Sequence, residues 1–307
     1  MPPTRALRAF EALGVSLVVL LAGCLGNQER PGGPSADSSP GEPASRFVHI
    51  HGVAVDPGDP TVLFVATHAG LIRGTSGDRW AYVGADRSDF MGFTLHPDDN
   101  QTAWSSGHPA GGGSQGVRQT TDGGRTWRVV ALGGQVDCHG MAVARANPDI
   151  VYCAHSGTGF YRTANRQDFE RVATNGLAEP ALVLATPAAA ENTVYAGGLH
   201  GLQRSTDRGT TWTTVAGEGH AVTALAAHPE DASVLFAYFL RAGGLQRSED
   251  AGETWIPAGT GLPADAVVTA LAIDPSNPDS LYASAITTIW QSADGGASWH
   301  VLRRGDP

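Results

Sequence analysis

The chain has 307 residues, of which 41% are hydrophobic, so it can bury the core of one large domain or of two small ones. Charged residues make up only 16%, whereas 40 glycines and 19 prolines indicate many tight turns between short strands, which favours an all-β fold. The net charge of -10 disfavours nucleic acid as a partner, because like charges repel. All 20 basic residues are arginine, which excludes lysine Schiff-base and P-loop chemistry.

The N-terminal segment is predicted to direct export. Arg5 and Arg8 precede an uncharged apolar run over 13–21, which has the length of a signal peptide. The run ends in Leu-Ala-Gly-Cys at 21–24, a sequence that resembles the bacterial lipobox. The resemblance implies that residues 1–23 are removed and that Cys24 carries a lipid anchored in the cell membrane. The alternative is an ordinary secretory signal followed by a chance cysteine.

The next segment, over 24–46, is predicted to be a disordered tether. It is rich in Pro, Gly and Ser and shows no apolar periodicity. Twenty such residues span about 25 Å root-mean-square. The sequence therefore predicts an extracytoplasmic protein held to the membrane by its lipid.

Internal repeats dominate the remainder of the chain. Four segments share the pattern S/T-x-D-x-G-x-T/S-W, at 120–127, 205–212, 248–255 and 292–299. Their tryptophans are 85, 43 and 44 residues apart, and weaker copies end at Phe169 and Trp80. An apolar strand and a second β-rich segment recur within each of the resulting six units. Units of this length with four short strands predict a single β-propeller over 47–303, with about six four-stranded blades, a tail at 304–307, and seven blades as the alternative.

The repeated pattern resembles the Asp-box, or BNR, repeat of sialidases, sortilin-type receptors and photosystem assembly-factor propellers. The resemblance implies the propeller fold. The residues themselves suggest a structural role, because the aspartate can accept hydrogen bonds from turn amides, the glycine permits a tight turn, and the tryptophan fills space between sheets. The residues assigned this role are Asp122, Trp127, Asp207, Trp212, Asp250, Trp255, Asp294 and Trp299.

Propeller geometry sorts the histidines by face. The entrances to first strands and the turns between second and third strands share one face, named here the channel-mouth face, and the repeated motifs lie on the other. Eight of the eleven histidines are predicted at the channel mouth, namely His49, His51, His68, His108, His139, His155, His200 and His220. His96, His228 and His300 fall elsewhere.

Position within the blades favours a transition-metal site. His68, His155 and His200 stand in similar places before a glycine-containing turn, and Met91 corresponds to His51 and His139. Imidazole and thioether are ligands that copper accepts, and imidazole also suits zinc. The predicted ligands are His49, His51, His68, Met91, His108, His139, His155 and His200, with copper or zinc as the ion. The alternative is that these histidines only fill the channel mouth, bonded to water and carbonyl groups.

The two remaining cysteines, Cys138 and Cys153, fall in neighbouring strands of one blade. A cross-strand disulfide suits an exported protein. The alternative is that Cys138 joins His139 as a metal ligand.

The resemblance to sialidases raises a catalytic alternative. Arg73, Arg118 and Arg241, with Tyr238, lie near second-to-third connections, but their spacing identifies no arginine triad. Candidate carboxylates near first-strand entrances are Asp89, Asp137, Glu179, Glu218 and Asp265. No catalytic pair can be chosen among them. The sequence thus favours a metal-binding protein over a sialidase-like glycoside hydrolase, a glycan-binding protein, or a scaffolding propeller that docks another exported protein.

Overall fold

The computed structural model describes residues 41–45, 47–75, 79–263 and 266–305. The predicted signal peptide and Cys24 lie outside the described residues. Within these ranges every regular element is a strand, and no helix there is long and apolar enough to cross a membrane.

Six antiparallel sheets of four strands follow one another along the chain, each in the order in which its strands occur. Blades 1 to 3 comprise β1 Ile50–Val55, β2 Val62–Thr67, β3 Gly70–Thr75, β4 Trp80–Tyr82, β5 Asp89–Leu95, β6 Ala103–His108, β7 Val117–Thr120, β8 Arg128–Ala131, β9 Cys138–Val143, β10 Val151–His155, β11 Gly159–Thr163 and β12 Glu170–Arg171. Blades 4 to 6 comprise β13 Ala181–Ala185, β14 Val194–Gly198, β15 Gly201–Ser205, β16 Thr213–Ala216, β17 Val222–Ala227, β18 Leu235–Phe239, β19 Gly244–Ser248, β20 Ile256–Pro257, β21 Ala270–Ile273, β22 Leu281–Ala285, β23 Thr288–Ser292 and β24 His300–Arg304.

The blades form a closed ring. The first strand of each blade contacts the first strands of both neighbouring blades, and β21 of blade 6 contacts β1 of blade 1. At this junction the amide of Ile50 donates to the carbonyl oxygen of Ile286 at 2.6 Å. The Thr269 hydroxyl donates to the carbonyl oxygen of Ile50 at 3.3 Å. The prediction of an all-β propeller with six four-stranded blades is confirmed.

Residues 41–44 lie along β4, outside blade 1. The amide of Ala44 donates to the carbonyl oxygen of Trp80 at 2.8 Å, and that of Tyr82 donates to Glu42 at 2.9 Å. These bonds attach residues 41–44 to the outermost strand of blade 1.

The four repeated motifs form one kind of turn, between the third and fourth strands. In blade 4, the Asp207 carboxylate accepts from the amide and hydroxyl of Thr211 at 2.8 and 2.7 Å. Gly209 has a φ of +87°, and a Cβ there would lie 2.4 Å from the ring of Phe160. The same amide contact to Asp122, Asp250 and Asp294 measures 2.9, 2.8 and 2.8 Å.

The tryptophan that ends each motif packs against the preceding blade. Trp212 is 5% exposed and meets Phe160 of blade 3 edge to face at 5.4 Å. In blade 3, which has no tryptophan here, Phe169 packs into the cluster between blades 2 and 3. Aromatic burial at these boundaries therefore stabilises the ring.

Candidate functional site

A bulge in the first strand creates the special positions of the channel-mouth face. In blades 1 to 5 one residue of this strand is left out of the pairing with the second strand, at the same place in every blade. These residues are His51, Met91, His139, Leu182 and Thr223. A bulge turns a side chain away from the regular pleat, so the first three blades carry a histidine, a methionine and a histidine at one recurring position.

Glycine follows the bulge in blades 1 to 3. A Cβ on Gly92 would lie 2.3 Å from the carbonyl oxygen of Cys138 in the next blade. A Cβ on Gly52 would find only contacts of 3.6 Å, to Ala66 and Phe93. The glycine of blade 2 is therefore required for close approach of the blade 3 backbone, whereas that of blade 1 is not.

Two further positions recur beside the bulge. The pairings Ile50↔Thr67 and Phe90↔Gly107 show that His49 corresponds to Asp89, and His68 to His108. In blade 3 the pairing Cys138↔His155 gives Asp137 the same place as His49. Asp89 and Asp137 thus belong to the site although the sequence assigned them no metal role; the signal that could have found them is their alignment with His49.

The first group in this site is the histidine triad, His49, His51 and His68. Their rings are stacked, with centroids 4.4 to 4.7 Å apart. One ring nitrogen from each lies within 4.8 Å of the other two, a spacing that could hold a metal ion. His49 has a φ of +41°, which is uncommon for a residue other than glycine. Backbone strain of this kind accumulates at functional sites.

Asp89 of blade 2 faces the histidine triad. Its carboxylate oxygens lie 3.3 Å from Nε2 of His51 and 3.7 Å from Nδ1 of His68. The His51 contact is within ion-pair distance but lacks the alignment of a hydrogen bond, so Nε2 of His51 and Oδ1 of Asp89 are buried without a hydrogen-bond partner among the described residues. Such atoms are costly to bury unless water or a cation satisfies them.

A second group lies in blades 2 and 3. Nε2 of His108 lies 2.7 Å from Oδ2 of Asp137, and Nδ1 of His108 lies 2.7 Å from the carbonyl oxygen of Gly113. Nδ1 of His155 contacts the Asp137 carbonyl oxygen at 2.6 Å. Within the described ranges, Oδ1 of Asp137 and Nδ1 of His139 are buried and lack a hydrogen-bond partner.

Burial keeps the histidine triad neutral. It lowers the pKa of His49, lowers that of His51 well below 6.5, and lowers that of His68 to about 4. Burial also lowers the pKa of His139. Neutral imidazoles have the free lone pair that metal coordination requires.

In the second group, by contrast, the pKa shifts of His108 and Asp137 favour the charged form of each side chain. The hydrogen bond to Asp137 raises the pKa of His108 to about 9. Burial acts to raise the pKa of Asp137, but the His108 hydrogen bond and neighbouring imidazoles hold it below its ordinary value. Burial raises the pKa of Asp89. The pKa values of Asp89 and Asp137 are therefore shifted in opposite directions.

Two predicted ligands, His155 and His200, lie out of register with His68 by one residue, whereas Met91 does not. His200 is exposed after β14, where Leu199 holds the position of His68, so His200 follows that position by one residue. His155 pairs with Cys138, which places it one position before that of His68 and His108 in their blades. Its ring contacts the backbone of Asp137. Met91 is 4% exposed at its bulge, and the shared bulge position with His51 and His139 is as expected.

Cys138 and Cys153 are joined by a disulfide bond, with their Cα atoms 5.5 Å apart. Both cysteines are fully buried, and Cys138 directly precedes His139 in β9. Cys138 in this form is not a metal ligand.

Two of the three candidate arginines pair with carboxylates. Arg73 lies 4.0 Å from Asp56, and Arg118 is buried with a 2.6 Å contact to Asp86. Arg118 also lies over the ring of Phe90, 4.5 Å from its centroid.

Comparisons with known proteins show the fold of the chain. No protein-family model matches it, and no curated protein matches it significantly. Solved structures do: the GH74 xyloglucanase of Xanthomonas campestris has a TM-score of 0.57 at 18% identity, over 86% of this chain and 56% of that one. The GH74 enzyme of Niastella koreensis gives 0.66 at 18%, over 86% and 47%.

YCF48, solved with a bound D1 peptide, gives a TM-score of 0.52 at 17% identity, over 88% of both chains. The chain spans about half the length of the two GH74 enzymes. The protein is thus a β-propeller whose fold resembles those of GH74 enzymes and of YCF48.

Proposed function

We propose that this protein binds a transition metal ion, copper or zinc, through the histidine triad at the channel mouth. The observation that carries the proposal is the set of three stacked imidazoles whose nitrogens lie within 4.8 Å of one another. Two of these residues, His49 and His51, stand on either side of the first pairing of β1, and His68 follows β2. One blade therefore presents all three ligands on a rigid sheet edge.

The donor set suits these metals. Three imidazoles leave a fourth position for a carboxylate, and an Asp89 oxygen lies 3.3 Å from Nε2 of His51. Histidine nitrogen with carboxylate oxygen is a common zinc ligand set, and imidazole also binds copper. Met91 occupies the bulge of the next blade, and a thioether is a ligand that reduced copper accepts.

The setting we propose for this site is outside the cytoplasm. The lipobox-like sequence ending at Cys24 supports a lipid anchor in the bacterial cell membrane, and the acidic net charge of -10 suits attraction of cations. In this role the chain binds the metal or delivers it to another protein.

Equilibrium dialysis of untagged protein against Cu²⁺ or Zn²⁺, with metal counted by mass spectrometry, tests the proposal. The wild type is expected to bind saturably, and His49→Ala with His68→Ala to lose that binding. A matched control is His200→Ala with His220→Ala, because both histidines are exposed on the same face. Equal metal binding by the triad variant and the control would show that the histidine triad does not bind the metal and only occupies space at the channel mouth.

A second candidate function is glycoside hydrolysis. Asp89 and Asp137 take equivalent entrance positions in neighbouring blades, and a pair of carboxyl groups is what glycoside hydrolysis requires. The likeness to a xyloglucanase makes xyloglucan a suitable first substrate. Release of reducing ends by the wild type, lost in both Asp89→Asn and Asp137→Asn, would support hydrolysis over metal binding.

A third candidate is docking of another exported protein. Val48 and Ile286 are 47% and 54% exposed, and Ile286 is held beside the channel mouth by its bond to Ile50. The likeness to YCF48 with its bound peptide is consistent with such a role. A photo-crosslinker at position 286 is expected to capture a partner that the same group at Ile256, 56% exposed on the outermost strand of blade 5, does not.

A further inference from the structure

We propose that a groove at the boundary of blades 1 and 2 binds a small anionic ligand, through a phosphate or carboxylate group held between Arg73 and Arg125. The groove is lined by these two residues and by Arg79, and it is called here the arginine groove. Its volume is about 840 Å³, within the range of small-molecule binding sites. It includes the repeated turn of blade 2, so it is a different site from the histidine triad.

Both blades contribute to the arginine groove. Phe64 and Arg73 are paired across β2 and β3 of blade 1 and line one side. Gly123 and Arg125, in the repeated turn of blade 2, line it as well. The segment 41–44 along β4 adds Gly41 and Pro43 to the lining. A ligand in the groove therefore contacts two blades at once.

The boundary between blades 4 and 5 shows what the same positions do elsewhere in the ring. Strand pairing places Arg204 of blade 4 at the position that Arg73 has in blade 1. The Arg204 guanidinium lies 2.9 Å from a carboxylate oxygen of Glu253 and donates to the carbonyl oxygen of Ala251 at 3.2 Å. Both partners belong to the repeated turn of blade 5. An ion pair thus bridges that boundary.

At the boundary of blades 1 and 2 one charge of this pair is reversed. Within the repeated motif, Arg125 holds the place of Glu253, three residues after the aspartate. Arg73 and Arg125 therefore occupy the two positions of an ion pair but carry the same charge. Two guanidinium groups so placed repel one another, and an anion between them offsets that repulsion. Phosphate and carboxylate match the fork of N–H donors that each guanidinium presents.

The donors of the two arginines are available to a ligand. The Arg73 side chain is 48% exposed, and the Asp56 carboxylate is 4.0 Å away. Arg125 donates to the carbonyl oxygen of Asp122 at 2.9 Å, which holds the side chain on its own turn. Arg247, at the same register in blade 5, is instead paired with Glu249 at 2.7 Å.

The charge of the groove favours an anion, although the chain as a whole has a net charge of -10. Among the described residues, three arginines line it against a single acidic residue, Asp56. Asp56 is 2% exposed, and its Oδ1 accepts from the amide of Gly58 at 2.9 Å, so it is held within its own turn. The local excess of positive charge attracts phosphate and carboxylate groups. Asn100 and Gln101 also line the groove, and their amide groups suit the hydroxyls of a sugar.

Isothermal titration calorimetry of the full-length chain tests the proposal with glucose 6-phosphate and with glucuronate, which separate phosphate from carboxylate recognition. We expect saturable binding of at least one probe, and affinity about tenfold lower at high salt, because ions screen the guanidinium charges. Glucose, which lacks the charged group, should not bind. No saturable binding of either probe, or equal binding of glucose, overturns the proposal.

Arg125→Glu is the most informative variant, because it installs at this boundary the pair that Arg204 forms with Glu253. It should abolish binding of the probe while leaving the melting temperature at or above that of the wild type. Arg73→Gln should weaken binding about tenfold, since a charge-assisted hydrogen bond is lost. Unchanged affinity in both variants would overturn the arginine groove as the site.

Two controls locate the anion. Arg247→Gln removes an arginine at the same register in blade 5, and it should bind the probe as the wild type does. His49→Ala with His68→Ala should also bind it normally, since the histidine triad is a separate site. Loss of the anion in this double variant would place it at the channel mouth and contradict the proposal, whatever the outcome for metal binding.

Discussion

His68 of blade 1 and Asp89 of blade 2 face each other across a blade boundary, with Nδ1 of the imidazole 3.7 Å from a carboxylate oxygen. His108 and Asp137 repeat this pairing one blade further on, at 2.7 Å. The same histidine–carboxylate contact thus recurs at two successive blade boundaries, but the pKa of the histidine is shifted in opposite directions at the two places. Burial dominates at the first pair, which keeps His68 neutral, and hydrogen bonding dominates at the second, which keeps His108 protonated.

The stability of the metal-free protein should therefore peak near neutral pH. The pKa of His68 is lowered to about 4, so its neutral form stabilises the fold above about 6.5, and this contribution is lost as the pH falls toward 4. The pKa of His108 is raised to about 9, so its contribution is complete below about 6.5 and is lost as the pH rises through 9.

Melting temperatures measured in EDTA across this range check the prediction. His68→Gln is expected to flatten the acid side of the profile, and His108→Gln the alkaline side. A wild-type melting temperature that is constant from about pH 5 to pH 9.5 would show that neither imidazole is perturbed as described.

Glycine at the bulge of blade 2 should be indispensable. Gly92→Ala places a Cβ 2.3 Å from the Cys138 carbonyl oxygen, so blades 2 and 3 must separate. We expect a loss of about 2 to 4 kcal/mol in the free energy of unfolding, as for other changes that force backbone apart in a packed core. Denaturant titration gives the value.

Gly52→Ala is the matched control, since its Cβ meets only atoms at 3.6 Å. Its cost should stay below about 1 kcal/mol. Equal costs for the two variants would contradict the difference in blade spacing.

Trp212 should be a major source of blade cohesion. Trp212→Ala removes a side chain that is 5% exposed and packed on Phe160 of blade 3. The expected loss is about 3 to 5 kcal/mol, the range for truncating a large buried aromatic residue. Denaturant unfolding measures it, and metal binding by the fraction still folded should be unchanged. A nearly unchanged midpoint would mean that the indole does not hold blades 3 and 4 together.

The lipid anchor is tested at Cys24, which lies outside the described residues. Cys24→Ser removes the only atom to which the diacyl group attaches, so the protein should leave the membrane fraction while the propeller stays folded. Fractionation followed by a high-salt wash makes the comparison. Retention of the variant in the membrane would exclude the lipobox interpretation.

The repeat made the fold predictable, and the bulge limited what could be predicted of the site. Tryptophan spacing gives six blades because each blade needs one aromatic residue at its boundary, and Phe169 serves where tryptophan is missing. The face of the histidines follows from strand order alone. Which histidines meet does not, because a bulge shifts the pairing by one residue.

His200 and Asp89 illustrate that limit. His200 stands before a glycine as His68 nearly does, but Leu199 takes the equivalent position and leaves His200 exposed. Asp89 was one of several entrance carboxylates in the sequence, and only the alignment with His49 distinguishes it. In both cases the outcome depends on the pairing register, because a shift of one residue points a side chain to the opposite face of the sheet.

Anomalous diffraction from crystals of the protein loaded with Zn²⁺ or Cu²⁺ tests the central claim most directly. We expect an anomalous peak at the metal absorption edge that is bounded by His49, His51 and His68 and lies about 2.0 to 2.2 Å from a nitrogen of each. Metal-loaded crystals with no peak between these imidazoles, or with peaks only at the exposed histidines His200 and His220, would contradict it.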